Sequence, residues 1–149
     1  MEQLNIEGYN VRVDVQRTKE LYEPLPLVSE EAHCGCMDCC YYVEAVTRTS
    51  SAILEFFQQF GVDPRKEASV WKAAEFDDGA YLYIVDYRFV GKIEDAEQLG
   101  WIEIDNAKFS LTNYPILPAP NILKSVIPPI IELQVEIMFS HKIKVTDDQ

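Results

Sequence analysis

Ile131-Glu132-Leu133-Gln134-Val135-Glu136-Ile137-Met138-Phe139-Ser140 decides the fold class of this chain. Ile131, Leu133, Val135, Ile137 and Phe139 alternate with Glu132, Gln134, Glu136, Met138 and Ser140, a period of two that turns every apolar side chain to one face of a strand. A slip of one residue in pairing would move that whole set into water, so the segment predicts a strand with one face in the core and a fixed register. Tyr81, Tyr83, Val85, Tyr87 and Phe89 repeat the pattern against Leu82, Ile84, Asp86, Arg88 and Val90. This second strand has a mixed outer face, which suits a central position, and Gly91 with the charged run Glu94–Gln98 is expected to close it. Its tyrosines read as core, with hydroxyls reaching an edge, more readily than as an exposed binding face.

Shorter strands surround this pair. Val70–Phe76 leads into the turn residues Asp77-Asp78-Gly79. Trp101–Ile104 and Ala107–Leu111 flank Asp105-Asn106 as a hairpin would, and Tyr9, Val11, Val13 and Val15 alternate with polar neighbours. Pro24 and Pro26 make Leu21–Val28 an extended connection, Pro115–Pro129 reads as a loop, and Thr146–Gln149 as a frayed tail. Between Asp38 and Phe60 the period changes. Val43, Val46, Ile53, Leu54, Phe57 and Phe60 recur at spacings near three and four, as on one face of a helix. Thr47-Arg48-Thr49-Ser50-Ser51 interrupts the stripe with residues that favour helix caps, which predicts two short helices or one kinked helix. Gly61 supplies a left-handed end and Pro64 prevents resumption. The expected fold is α+β: a mainly antiparallel sheet with the early helical segment packed on one face, residues 1–149 forming a single domain.

With 149 residues, 48% of them hydrophobic and 26% charged, the chain can bury a core without staples. Twenty-five acidic residues against 13 Lys and Arg leave a formal charge of -12. That sign disfavours nucleic-acid phosphates and anionic membranes as partners and suits a basic protein. No apolar run reaches the ~20 residues of a spanning helix. Met1-Glu2-Gln3-Leu4 does not open a secretory signal, so a cytoplasmic location with reduced thiols is expected.

All four cysteines lie in one stretch, His33-Cys34-Gly35-Cys36-Met37-Asp38-Cys39-Cys40. Cys36-x-x-Cys39 falls where a helix should begin, and orphan N–H groups there favour a thiolate, the basis of a redox dithiol. The same stretch offers His33, Cys34, Cys36, Cys39 and Cys40 as ligands for zinc or copper. The count favours a metal. The spacing does not, since structural zinc usually takes two ligands from each of two separated segments, and His141 is the only histidine elsewhere. A plainer reading makes them reduced thiols at a loop-to-helix junction, with Cys36 and Cys40 on one helix face, Cys39 pointing elsewhere, and Cys40 continuing the stripe of Val43.

Cys34-Gly35-Cys36-x-x-Cys39, a helical segment, Gly61-Val62-Asp63-Pro64 and the late Glu-rich strand together resemble a family of small, uncharacterised bacterial proteins. The resemblance implies a bacterial cytosolic α+β domain and carries no reaction. Cys40 stands where that family tends to place a basic residue. No nucleophile–base pair, Gly-rich phosphate loop or zinc-protease motif is present. The sequence therefore favours a non-enzymatic acidic binding protein, of inhibitor or immunity type, with a metal-binding or thiol-redox protein as the competing expectation. The latter requires at least three cysteine sulfurs to converge on one point.

Overall fold

In the computed structural model, which describes residues 1–32, 34–66, 69–113 and 129–140, the two alternating segments lie side by side at the centre of the sheet. The strands are β1 (Glu2–Ile6), β2 (Tyr9–Val13), β3 (Ser69–Glu75), β4 (Tyr81–Ile93), β5 (Ile102–Ile104), β6 (Ala107–Asn113) and β7 (Ile130–Phe139). Between β2 and β3 come α1 (Val15–Tyr22), α2 (Met37–Thr47) and α3 (Ser51–Gln58). The sheet runs β1-β2-β4-β7-β6-β5, with β3 also on β4, and every pairing is antiparallel. The expected α+β class therefore holds. His33, His141, most of the Pro-rich stretch and the Thr146–Gln149 tail fall outside the described residues. Among the described residues no helix is long and apolar enough to cross a membrane.

The register sets the core. Tyr83 pairs with Ile137, Val85 with Val135, Tyr87 with Leu133 and Phe89 with Ile131, and all eight side chains are fully buried. Aromatic side chains of α2 and α3 close over them: Tyr42 tilts against Tyr83, Phe57 meets Tyr87 edge-on, and Phe60, just past α3, stacks on Phe89. Ser50 caps α3 by accepting from the Ile53 N–H at 3.3 Å, as the interruption of the helical stripe predicts. On α2 the buried residues are Cys39, Tyr42, Ala45 and Val46, whereas Val43 is only half-buried. The expected stripe through Cys40 and Val43 is thus rotated by about one residue. The bulk of Tyr42 explains this, since its ring fills the space above Tyr83 and Phe139.

The helix hydroxyl that enters the core is paired. Tyr87 donates to the Pro64 carbonyl at 2.7 Å, so the close contact between the Tyr42 and Tyr87 hydroxyls is donated by Tyr42. Burial pushes both phenols above the ordinary tyrosine range. Tyr87→Phe is expected to cost about 1–3 kcal/mol, because the Pro64 carbonyl and the Tyr42 hydroxyl each lose a buried partner. Urea unfolding measures this directly; a loss below about 0.5 kcal/mol would mean that both groups had found other partners.

Three expectations about boundaries are corrected. Leu21–Val28 is not wholly extended, because α1 runs through Tyr22, and the strand read through Val15 ends at Val13. Asp14 turns the chain there by accepting from the Arg17 N–H at 3.0 Å. Gly91 does not close β4, which continues to Ile93 and there pairs with β2. On that outer edge β4 pairs with β3 through Asp86 and with β2 from Gly91. In the interval α1 takes a strand's place. The Tyr22 hydroxyl donates to the Arg88 carbonyl at 2.8 Å, and the Val90 N–H donates to Thr18 Oγ1 at 3.1 Å. The Asp14 N–H donates to the Val90 carbonyl at 2.9 Å.

Candidate metal centre

The cysteines sit where a coiled loop feeds the first turn of α2. The Leu27 N–H donates to Glu30 Oε2 at 2.9 Å, and the Cys34 N–H donates to the Glu30 carbonyl at 3.0 Å. These bonds wind the loop into successive tight turns. Gly35 completes it with φ of +75°, and a Cβ there would lie 3.3 Å from the Glu31 backbone. A left-handed residue between Cys34 and Cys36 lets both flanking side chains turn toward the helix end.

Cys36 is extended rather than helical, with φ -76° and ψ 165°, and is the N-cap of α2. Its Sγ accepts from the Cys39 N–H at 3.4 Å. A cap folds its side chain back over the third helical residue, and that residue is Cys39. The C-x-x-C spacing is therefore the capping spacing. This overturns the expectation that Cys36 and Cys40 share a helix face, because Cys36 has not yet entered the helix. The first turn is held to the sheet by Tyr83, which donates to the Asp38 carbonyl at 3.2 Å, and by Lys72, whose Nζ lies 3.5 Å from Asp38 Oδ1. Neither tether was legible in the sequence, since 34 and 45 residues separate the partners and no local pattern joins them.

The Sγ atoms of Cys34, Cys36 and Cys39 all lie within 4.8 Å of one another. Cys34 and Cys36 are exposed and Cys39 is buried, so the three form a shallow cup, open to solvent, with its base on the core. Cys40 is not part of it: its thiol is turned to the carbonyls of Ser29 and Gly35, at 3.8 and 3.9 Å. His33, the remaining expected ligand, lies outside the described residues.

Cys36 and Cys39 differ in acidity. The N–H groups at the helix end, that of Cys39 above all, and the neighbouring Cys34 thiol lower the pKa of Cys36. Burial, reinforced by the adjacent Cys36, raises that of Cys39. A thiol whose ionisation is favoured, Cys36, beside one whose ionisation is opposed by burial, Cys39, is a poor arrangement for a set of free thiolates. A cation bonded to all three removes the conflict. An ion bonded at about 2.3 Å to each of three sulfurs holds them about 4 Å apart. The cup therefore needs to contract by under about 1 Å, which side-chain rotation supplies without moving the helix.

Comparison with protein-family models, curated proteins and solved structures returns no match. The chain's chemistry is accordingly read from its own residues.

A second concavity, about 610 Å³, lies at the far end of α2, lined by Lys19, Tyr22, Leu54, Gln58, Asp63 and Arg65 among others. Two of its cations, Arg65 and Lys66, are engaged. Arg65 makes two bonds to the Asp63 carboxylate at 2.9 and 3.0 Å, and Lys66 Nζ donates to the Glu23 carbonyl at 3.0 Å. The Lys66 contact ties the segment after Asp63-Pro64 to the end of α1, and among the described residues the groove gathers no cluster of His, Cys, Asp and Glu ligand atoms.

Proposed function

We propose that this chain binds one thiophilic metal ion, zinc(II) or copper(I), through Cys34, Cys36 and Cys39. The observation that carries the reading is the convergence of three sulfurs within 4.8 Å at the N-terminus of an 11-residue helix. Soft donors select soft or borderline ions, and the helix end stabilises the negative charge of the thiolates. Tyr83 and Lys72 act as positioning residues, fixing the first turn of α2 against β3 and β4.

Titration of the reduced, anaerobic chain with zinc(II) against a chromogenic chelator tests this. One equivalent is expected to bind. Cys34→Ser, Cys36→Ser and Cys39→Ser should each weaken binding by more than the ~10–100-fold that a change behind the ligands costs, while Cys40→Ser leaves it unchanged. Circular dichroism on each variant separates loss of ligand from loss of fold. Absence of binding for both zinc(II) and copper(I), or equal damage from Cys40→Ser, would reject the reading.

The charge of -12 supports a second reading, a surface for a basic protein partner. It ranks lower because the exposed acids among the described residues are spread over β1, α1, the Glu30-Glu31 loop, α3, the Asp77-Asp78 turn, the Glu94–Glu97 loop and the β5–β6 hairpin.

A further inference from the structure

We infer that the cup is a three-coordinate site and therefore selects copper(I) over zinc(II). The inference rests on the metal-binding reading above and goes on to name the ion and its geometry. Copper(I) is satisfied by three thiolates, whereas zinc(II) closes its shell with four ligands. The question is whether the chain offers a fourth.

Among the described residues, the group of converging His, Cys, Asp and Glu atoms has three members and no more. His33, next to Cys34, lies outside the described residues; among those described, the two nearest additional donors along the chain, Cys40 and Asp38, are directed elsewhere. Cys40 follows Cys39 on α2, so its Cα lies about 100° further round the helix, and its thiol faces the carbonyls of Ser29 and Gly35. Asp38 turns its carboxylate to Lys72, at 3.5 Å. Bringing Asp38 into the cup would break its ion pair with Lys72, and bringing Cys40 in would turn its thiol away from those two carbonyls.

Three sulfurs within 4.8 Å of one another leave room for an ion bonded to all three. They come from a loop residue, a helix cap and the third residue of the first turn, and they span a cup whose fourth side is solvent. Copper(I) needs nothing on that side. Zinc(II) there would be left with a water or an external ligand. On binding copper(I), the three thiols release their protons to solvent and the metal keeps its oxidation state.

The test uses the full chain, reduced and anaerobic, with copper(I) delivered from a bathocuproine disulfonate buffer and zinc(II) from a chromogenic chelator. One copper(I) per chain is expected, held at least about a hundred-fold more tightly than zinc(II). X-ray absorption at the copper edge should show three sulfur neighbours and no nitrogen or oxygen, with the same result for Cys40→Ser and for His33→Ala. A fourth sulfur lost in Cys40→Ser, or a nitrogen neighbour lost in His33→Ala, would overturn the three-coordinate site while leaving metal binding standing. Equal or tighter zinc(II) binding would overturn the selectivity in the same way. Binding of neither ion would overturn both this inference and the reading beneath it.

Discussion

Phe89→Ala is expected to lower the unfolding free energy by about 3–5 kcal/mol, the range for deleting a buried aromatic ring. Phe89 is fully buried in the middle of the sheet. Its ring lies 4.4 Å from that of Phe60 with 14° between their planes, and its backbone neighbour across the strand pair is Ile131. Phe60 follows α3 and precedes the left-handed Gly61, so the end of the helix is pinned to the sheet by this stack. Removing the ring leaves a void walled by a turn and by two central strands, none of which can collapse freely. Urea unfolding should show a lower midpoint with an unchanged slope. Phe89→Leu, which refills most of the volume, should cost less than about 1.5 kcal/mol. A loss near 1 kcal/mol for the alanine variant would show that the site relaxes and that the stack is not what anchors α3.

Gly91→Ala is expected to cost about 3 kcal/mol, at the upper end for overpacking, although it adds one methyl group. A Cβ at Gly91 would stand 2.5 Å from the Arg12 carbonyl oxygen and 3.3 Å from both the Val13 Cα and Ile131 Cδ1. Backbone cannot swing aside as a side chain can. The strand pair Val13–Gly91 would have to part, and with it the attachment of the β1–β2 hairpin, whose contact with the sheet is the short run Val11–Ile93 to Val13–Gly91. Gly100→Ala supplies the control, because a Cβ there meets nothing within 4 Å. Hydrogen exchange should accelerate at Val11 and Val13 in the Gly91 variant before it does in β7. Equal stability of the two variants would refute the role assigned to the close approach.

These elements also show what the sequence conveys. Period-two alternation identified β4 and β7 because each buries one whole face, and the helix pair was legible because Ser50 interrupts an apolar stripe. Gly91 misled because a glycine at a strand end and a glycine admitting a neighbouring backbone look alike in sequence. α1 was hidden because it buries only Thr18 and Tyr22, too few to make a period, while Asp14 caps it just where alternation from β2 was still running. At the cysteines, the ligand types were visible and their convergence was not. It depends on Cys36 being a cap, outside the helix, and on Gly35 turning left, both conformational facts that residue spacing does not encode.

The substitution of α1 for a strand beside Tyr87–Val90 has a consequence for how copies of this chain meet one another. A bare strand edge is a template on which a foreign strand can grow. Here the carbonyls of Arg88 and Val90 and the N–H of Val90 are occupied by Tyr22, Asp14 and Thr18, groups that cannot propagate a ladder. β3, the neighbouring edge, carries a register shift between Lys72 and Ala74, and a kinked, charged border is a poor surface for addition. On this side, protection against stacking into fibrils is built from two hydroxyls, one amide and a bulge.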